Sequence, residues 1–338
     1  MNSFELIPTE ENLIHTLDKD LLKRNKDLVR FYDLILAQEG DSSIAIDGRW
    51  GSGKTFFVKQ SMLLINAKNP MSDMDDEKKA SIVYALPFPK KAEDMPENYN
   101  VAVYYDAWEN DNDTDPVFSL VFEIIKQLGI NYAFDDNSNA FKLAGSVLEA
   151  LTGRNINGII ENLKSDNPLT KIKEEKDLHE NIKNFFTELL VERGNRLVVF
   201  IDELDRCKPS YAVQLLERIK HYLYDDRITF VFSVNLGELQ HTIKHYYGNT
   251  FDACRYLDRF FDMRISLPPA DKTAFYREMG LESSYVLEKI CRKVIDTYNM
   301  ELREATRFYR QVKTAAYEPT HESRKFDFSF SDEKGRQL

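Results

Sequence analysis

Residues 48 to 55 read Gly-Arg-Trp-Gly-Ser-Gly-Lys-Thr, and Gly48, Gly53, Lys54 and Thr55 stand at the spacing G-x-x-x-x-G-K-[ST]. Residues of these types at these distances are suited to holding a polyphosphate. Glycines without a Cβ let successive backbone N–H groups curl around phosphate oxygens, and the N-terminus of the following helix adds its positive end. In such a loop Lys54 neutralises the β- and γ-oxygens, and the Thr55 hydroxyl ligates a magnesium ion. The candidate nucleotide contacts are therefore Gly48, Arg49, Trp50, Gly51, Ser52, Gly53, Lys54, Thr55 and Phe56.

A second chemical group closes the apolar run Leu197 to Ile201, which ends in Asp202-Glu203. Five consecutive apolar residues are what a strand buried on both faces requires. Carboxylates at the carboxyl end of such a strand lie where open α/β sheets bind their ligands. Asp202 is there suited to hold the water shell of the magnesium ion, and Glu203 to polarise a water for attack on the γ-phosphate. The blander reading, that acids merely end the strand, weakens once the phosphate loop stands beside it.

Three further positions keep two readings each. Asn235 follows the apolar run Ile228 to Val234; its amide either orients the lytic water or caps the helix that carries Leu239. Arg303, Arg307 and Arg310 share one helical stripe by their spacing, so Arg303 is either a phosphate sensor or part of a solvated face. Asp106 and Glu109 either position water or metal near the phosphates, or have a helix-capping or solvent role.

The elements that must hold these residues are written in the periodicity. A short strand through Ile44 and Ile46 precedes the loop, and a helix with Phe56, Phe57, Val58 and Met62 follows it. Val101 to Tyr105, Leu197 to Ile201, Ile228 to Val234 and Met263 to Pro269 read as further strands, the last closed by two prolines that mark a domain boundary. Residues 11 to 39 read as one helical stretch stopped by Gly40-Asp41. Within it, Lys23-Arg24-Asn25-Lys26 is better taken as a solvated face than as the neighbour of a bound base. Ser81 to Leu86 reads as a short edge strand, and Pro116 opens a helix. Residues 130 to 195 read as a helical insertion, and 270 to 316 as a helical region. A polar tail from Tyr317 carries the alternation Phe326, Phe328, Phe330, suited to pairing with a sheet edge.

Composition narrows the partners. With 338 residues the chain can bury one large core and a smaller one. Lys+Arg 45 against Asp+Glu 56 gives a formal charge of -11, which argues against duplex nucleic acid as an obligatory partner. Three cysteines, Cys207, Cys254 and Cys291, show no metal or disulfide spacing. Neither a secretory signal at the start nor a membrane-spanning run of roughly 18 apolar residues is evident. A soluble, cytoplasmic protein is the expectation.

Four segments in order resemble the KAP family of P-loop NTPases: the loop of 48 to 55 with its internal tryptophan, Tyr-Asp-Ala-Trp-Glu at 105 to 109, Phe-Ile-Asp-Glu-Leu-Asp-Arg-Cys at 200 to 207, and Tyr-Leu-Asp-Arg-Phe-Phe-Asp through Leu-Pro-Pro at 256 to 269. The helix of Arg303 to Arg307 resembles the arginine-bearing helix that follows in the family. The resemblance covers about residues 20 to 315. It implies an α/β P-loop NTPase of the class with an additional central strand and a catalytic acid. The core would run over 1 to 269, including the insertion, with a helical lid at 270 to 316 and the tail at 317 to 338. It gives Asp205 weight as a second acid, and Arg206 weight as a charge facing nucleotide or a neighbouring subunit; Arg206 and Arg259 are candidates for reaching across an interface. Glu203 stands where many members have Asp, so Glu203 and Asp205 both remain candidates for the base. Many members carry membrane spans between the two nucleotide motifs; residues 130 to 195 are too polar for that.

The function implied is a magnesium-dependent ATPase that couples ATP binding and hydrolysis to a conformational switch on a protein partner or a second copy. The resemblance adds antiviral defence as a context, since bacterial members are linked to phage exclusion. An ATP-gated scaffold with little turnover is the alternative of another class, and a P-loop kinase a third. ATP is preferred over GTP because no Asn-Lys-x-Asp element for guanine occurs.

Overall fold

The β-rich apolar runs do become strands. In the computed structural model, which describes residues 7–88, 99–113, 115–128, 183–190, 193–223, 225–281 and 285–316, five strands form one sheet. They are β1 (Ser42–Asp47), β2 (Asn100–Asp106), β3 (Arg196–Asp202), β4 (Ile228–Val234) and β5 (Met263–Ser266), in the order β2-β3-β4-β1-β5. All four pairings are parallel. The added strand β4 thus separates β1, which leads into the phosphate loop, from β3, which ends in Asp202.

Parallel pairing fixes what meets what. Every carboxyl end points to the same edge, with Asp47 opposite Val234, Ser233 opposite Asp202, and Asp106 opposite Asp202. Two ordinary inter-strand spacings put the ends of β1 and β3 about 10 Å apart. Residues rooted on them can therefore reach one ligand.

Side chains alternate across the sheet. On one face Val199, Ile201, Phe230 and Phe232 pack under helices α5 (Pro116–Gln127), α6 (Pro209–Tyr222), α7 (Leu236–Tyr247) and α8 (Ala253–Leu257). Ile44, Ile46, Val198 and Phe200 on the other face pack under α1 (Glu10–Asp18), α2 (Asn25–Leu36), α3 (Lys54–Lys68) and α4 (Asp76–Tyr84). Helix α3 buries Phe56, Phe57, Val58, Gln60, Leu63, Leu64 and Ile65, so it is apolar nearly all round, as a helix wedged between sheet and outer helices must be. Its N-terminus, at the loop, is held rigid by that burial.

Past β5 the chain makes α9 (Lys272–Glu278), α10 (Val286–Thr297) and α11 (Leu302–Ala316). These pack around their own cluster of Phe275, Ile295, Ala305 and Tyr309, into which Leu22 also reaches. No described helix is long and apolar enough to cross a membrane.

In its secondary structure the protein departs from the sequence expectations at three described places. The helical stretch of 11 to 39 is two helices, α1 and α2, broken by left-handed backbone at Asp20 (φ 44°) and Lys23 (φ 55°). Ser81 to Tyr84 is the second half of α4, not an edge strand: the Asp75 carboxylate caps that helix by accepting from Glu77 and Lys78 N–H, and Ile82 and Leu86 are buried at helical spacing. Strand β5 stops at Ser266, before the prolines. Of the expected insertion, residues 183–190 and 193–195 are described; 183–190 are helical and bury Phe185, Phe186, Leu189 and Leu190 against the sheet. The rest of it, and the Phe326 to Phe330 alternation, lie outside the described residues.

Candidate functional site

The loop between β1 and α3 needs its glycines for backbone reasons. Gly51 (φ +81°) and Gly53 (φ +91°) adopt left-handed conformations that cost residues with a Cβ roughly 1–2 kcal/mol each. Space is equally tight: a Cβ would lie 3.1 Å from Arg24 Nη1 at Gly53 and 3.1 Å from Arg303 Cβ at Gly51. Lys54 opens α3, is buried, and donates from Nζ to the carbonyls of Gly48 (2.6 Å) and Arg49 (3.2 Å). Thr55 follows in the first turn, half-buried. Phe56 differs from the rest of the proposed contacts: its side chain is buried in the core below the loop. Only its backbone N–H, in the unpaired first turn, is suited to a phosphate.

Across the edge, Asp202 is almost fully buried. Its Oδ1 accepts from Glu203 N–H at 3.0 Å, and its Oδ2 from the Tyr104 hydroxyl at 3.1 Å. The next residue, Glu203, sits in the left-handed region at φ +61°, a conformation that an uncommon local constraint must hold. Burial first, and then the neighbouring Asp202 charge, push its carboxyl up to about 7, against the pull of Arg206. Asp205 is buried too, and the Trp50 indole N–H donates to its Oδ2 at 2.6 Å. Burial raises its pKa, opposed first by that indole bond and then by Lys54.

The Lys54 ammonium joins the two halves. Burial lowers its pKa, and the charges of Asp205, Asp202 and Glu203, in that order, oppose the shift. Loop cation and strand acids therefore share one site. Two buried side-chain oxygens among the described residues lack a hydrogen-bond partner, the hydroxyls of Ser52 and Ser233. One belongs to the loop; the other stands on β4 between Ile46 and Asp202. Polar atoms buried without partners are costly, and a polar ligand that reached them would offset that cost.

This donor set fits a magnesium nucleotide. Among the described residues no three His, Cys, Asp or Glu side chains form a metal cage, and magnesium in nucleotide sites uses few protein oxygens, keeping waters and phosphate oxygens instead. Thr55 and Asp202 are the residues suited to hold it. Beside the loop lies a cavity of about 650 Å³ lined by Arg24, Gly48, Arg49, Ser52, Asn235 and Tyr276 among others, reaching to α9 and α10. That volume is of the size that encloses a small organic ligand.

The two-reading residues divide as follows. Asn235 caps α7, its Oδ1 accepting from Glu238 N–H at 3.4 Å, and it also lines the cavity. Asn235→Ala is expected to cost about 1 kcal/mol of stability through the lost cap; chemical denaturation measures this, and a rate loss without a stability loss would assign the amide to chemistry instead. Arg303 stands on α11 with its Cβ against Gly51 and its side chain largely exposed; partial desolvation and then the Arg206 charge lower its pKa, against the pull of Glu203. Asp106 caps a turn, accepting from Trp108 and Glu109 N–H; Glu109 is exposed.

The solvated-face expectation for 23 to 26 holds for Lys23 and Lys26 but not for Arg24 and Asn25, which are buried. Arg24 donates to the carbonyls of Ser52 (2.9 Å) and Pro268 (2.9 Å), tying the loop to the segment that follows β5; burial pulls its pKa down to about 10. Sequence reasoning also missed Tyr104 as the anchor of Asp202. The available signal was the pair Tyr104-Tyr105 near the end of β2, since neighbouring strand residues face opposite sides of the sheet.

A family model described as the KAP family P-loop domain matches residues 25–318. Over 95 residues, 25% of the chain, the sequence is 33% identical to an uncharacterized protein of Methanocaldococcus jannaschii, and the match spans 49% of that relative, about half its length. With the matched region taking in the loop, the added-strand sheet and the C-terminal helices, this chain belongs to the KAP family of P-loop NTPases.

Proposed function

We propose that the chain is a magnesium-dependent ATPase whose cycle moves the C-terminal helices against the core and so switches a partner protein or a second copy. The observation that carries this is the tie between phosphate loop and strand acids, the Trp50 indole donating to Asp205, with the buried Lys54 ammonium subject to the charges of Asp205, Asp202 and Glu203. Loop N–H groups and Lys54 bind and orient the triphosphate, while the nucleoside extends into the cavity toward α9 and α10. Thr55 and Asp202 are the residues that would hold the metal. Magnesium, when bound, offsets the charge of the β- and γ-phosphate oxygens. Glu203 takes the proton of the attacking water, and a carboxyl near 7 suits that work at neutral pH. Asp205 serves instead as a bracket, since the Trp50 indole occupies one of its oxygens.

The motion has support in the packing of Gly51 against Arg303, which lets α11 feel the shape of the loop. In this reading residues 1–269 form the core and 270–316 the lid. The cavity that bridges the loop and helices α9 and α10 also suits a second reading, a clamp that binds ATP and turns over slowly. Phosphate release from ATP by the purified chain tests the first. It should require magnesium and fall to background in excess EDTA; release that persists in EDTA removes this proposal.

A further inference from the structure

Glu203 cannot direct a water unless something holds its carboxylate, because a glutamate side chain has three rotatable bonds to fix. The cation that pairs with it is Arg206, through Nε and Glu203 Oε2. The chain contains two tryptophans, Trp50 and Trp108, and both flank that same arginine. Its guanidinium carbon lies 5.8 Å from the Trp50 ring centre and 5.5 Å from that of Trp108. A planar guanidinium between aromatic faces loses little freedom when its fork engages a carboxylate, which a lysine ammonium does not match.

The two rings come from different places. Trp50 belongs to the phosphate loop and is tethered by its indole to Asp205; Trp108 lies beyond β2, in the turn capped by Asp106. Arg206 itself ends a short 3-10 turn, Leu204–Arg206, that begins right after the left-handed Glu203. A continuous set of contacts thus runs from loop to Trp50, to Arg206, to Glu203, with the Trp108 ring also against Arg206. Both indoles are partly exposed, Trp50 39% and Trp108 52%; burying them is not what the stack accomplishes.

We propose that Arg206 is a positioning residue for Glu203, and that its place between Trp50 and Trp108 transmits the state of the phosphate loop to that carboxylate. This rests on the reading of Glu203 as the base. It differs from an arginine that reaches the nucleotide or a neighbouring subunit, because its partner is in the same chain and within the site.

The two tryptophans supply the readout. In Trp50→Phe the reporter is Trp108, and in Trp108→Phe it is Trp50. Adding a non-hydrolysable ATP analogue with magnesium is expected to change the emission of both reporters. Adding Arg206→Ala should abolish the Trp108 response while the Trp50 response stays, with analogue affinity, measured separately by equilibrium dialysis, within about 3-fold; a misplaced catalytic group costs on the order of 10²-fold in rate, so kcat should fall about 10- to 100-fold with KM within about 3-fold. Arg206→Lys keeps a positive charge beside Glu203 and guards against a variant that fails to fold; it should retain the loss in kcat.

A Trp108 response that survives both Arg206 variants overturns the proposal. So does a large rise in KM with unchanged kcat, which would make Arg206 a nucleotide ligand. Arg206-dependent emission in a wild-type chain that releases no phosphate leaves the coupling standing and removes hydrolysis. No binding of the analogue to the wild type removes both.

Discussion

Lys54→Ala is expected to lower kcat/KM for ATP by about 10²–10³ or more, the cost of deleting one preorganised charge donor from a phosphoryl-transfer site. Several observations make the loss large. Lys54 is buried, its ammonium is pinned to the carbonyls of Gly48 and Arg49, and three carboxylates are close enough to act on its charge. Without the ammonium, a polyanion would enter a site containing Asp202, Glu203 and Asp205 with its nearest cation gone. Lys54→Arg should not rescue: Nζ sits 2.6 Å from the Gly48 carbonyl, and a guanidinium is too broad for that niche. The check is steady-state phosphate release beside analogue binding. Both should fail together, and release that survives Lys54→Ala would remove the ATPase proposal.

Glu203→Gln is expected to reduce kcat by about 10²–10⁴, the usual worth of a positioned general base, while nucleotide binding changes by no more than a few-fold. Asp205→Asn should do much less to the rate, under about 10-fold by the same scale, since an asparagine oxygen can still accept the Trp50 indole proton. The contrast is the useful result. If Asp205→Asn abolishes turnover and Glu203→Gln spares it, the base is Asp205. If neither matters, the clamp that binds ATP without cycling is the better description.

The residues that could do chemistry were readable from sequence because phosphate loops and buried parallel strands leave strong local marks. Leu197 to Ile201 can be little but a strand covered on both faces, and its parallel neighbours then force Asp202 to the edge where the loop lies. What holds those residues was not readable. Trp50 meets Asp205 across 155 positions, Tyr104 meets Asp202 across 98, and Arg24 meets Pro268 across 244. No local pattern encodes such pairings. Arg24 looked solvated because its neighbours Lys23 and Lys26 are, and the turn that directs it inward depends on positive φ at Asp20 and Lys23, residues that rarely announce it. The misreading of Ser81 to Tyr84 had a local cause: Ile82, Val83 and Tyr84 favour strands, but the Asp75 cap and the buried i, i+4 pair Ile82 and Leu86 outweigh that preference.

Manganese in place of magnesium gives the most direct test of a single metal-nucleotide site shared by loop and strand. Electron paramagnetic resonance of the wild-type chain with Mn²⁺ and a non-hydrolysable ATP analogue should show a bound ion coupled to phosphate phosphorus. That species should weaken at least about 10-fold in Asp202→Asn, as loss of an outer metal partner does, and be lost in Lys54→Ala. A phosphate-coupled ion bound equally well by both variants would contradict a site in which Lys54 and Asp202 serve one ligand.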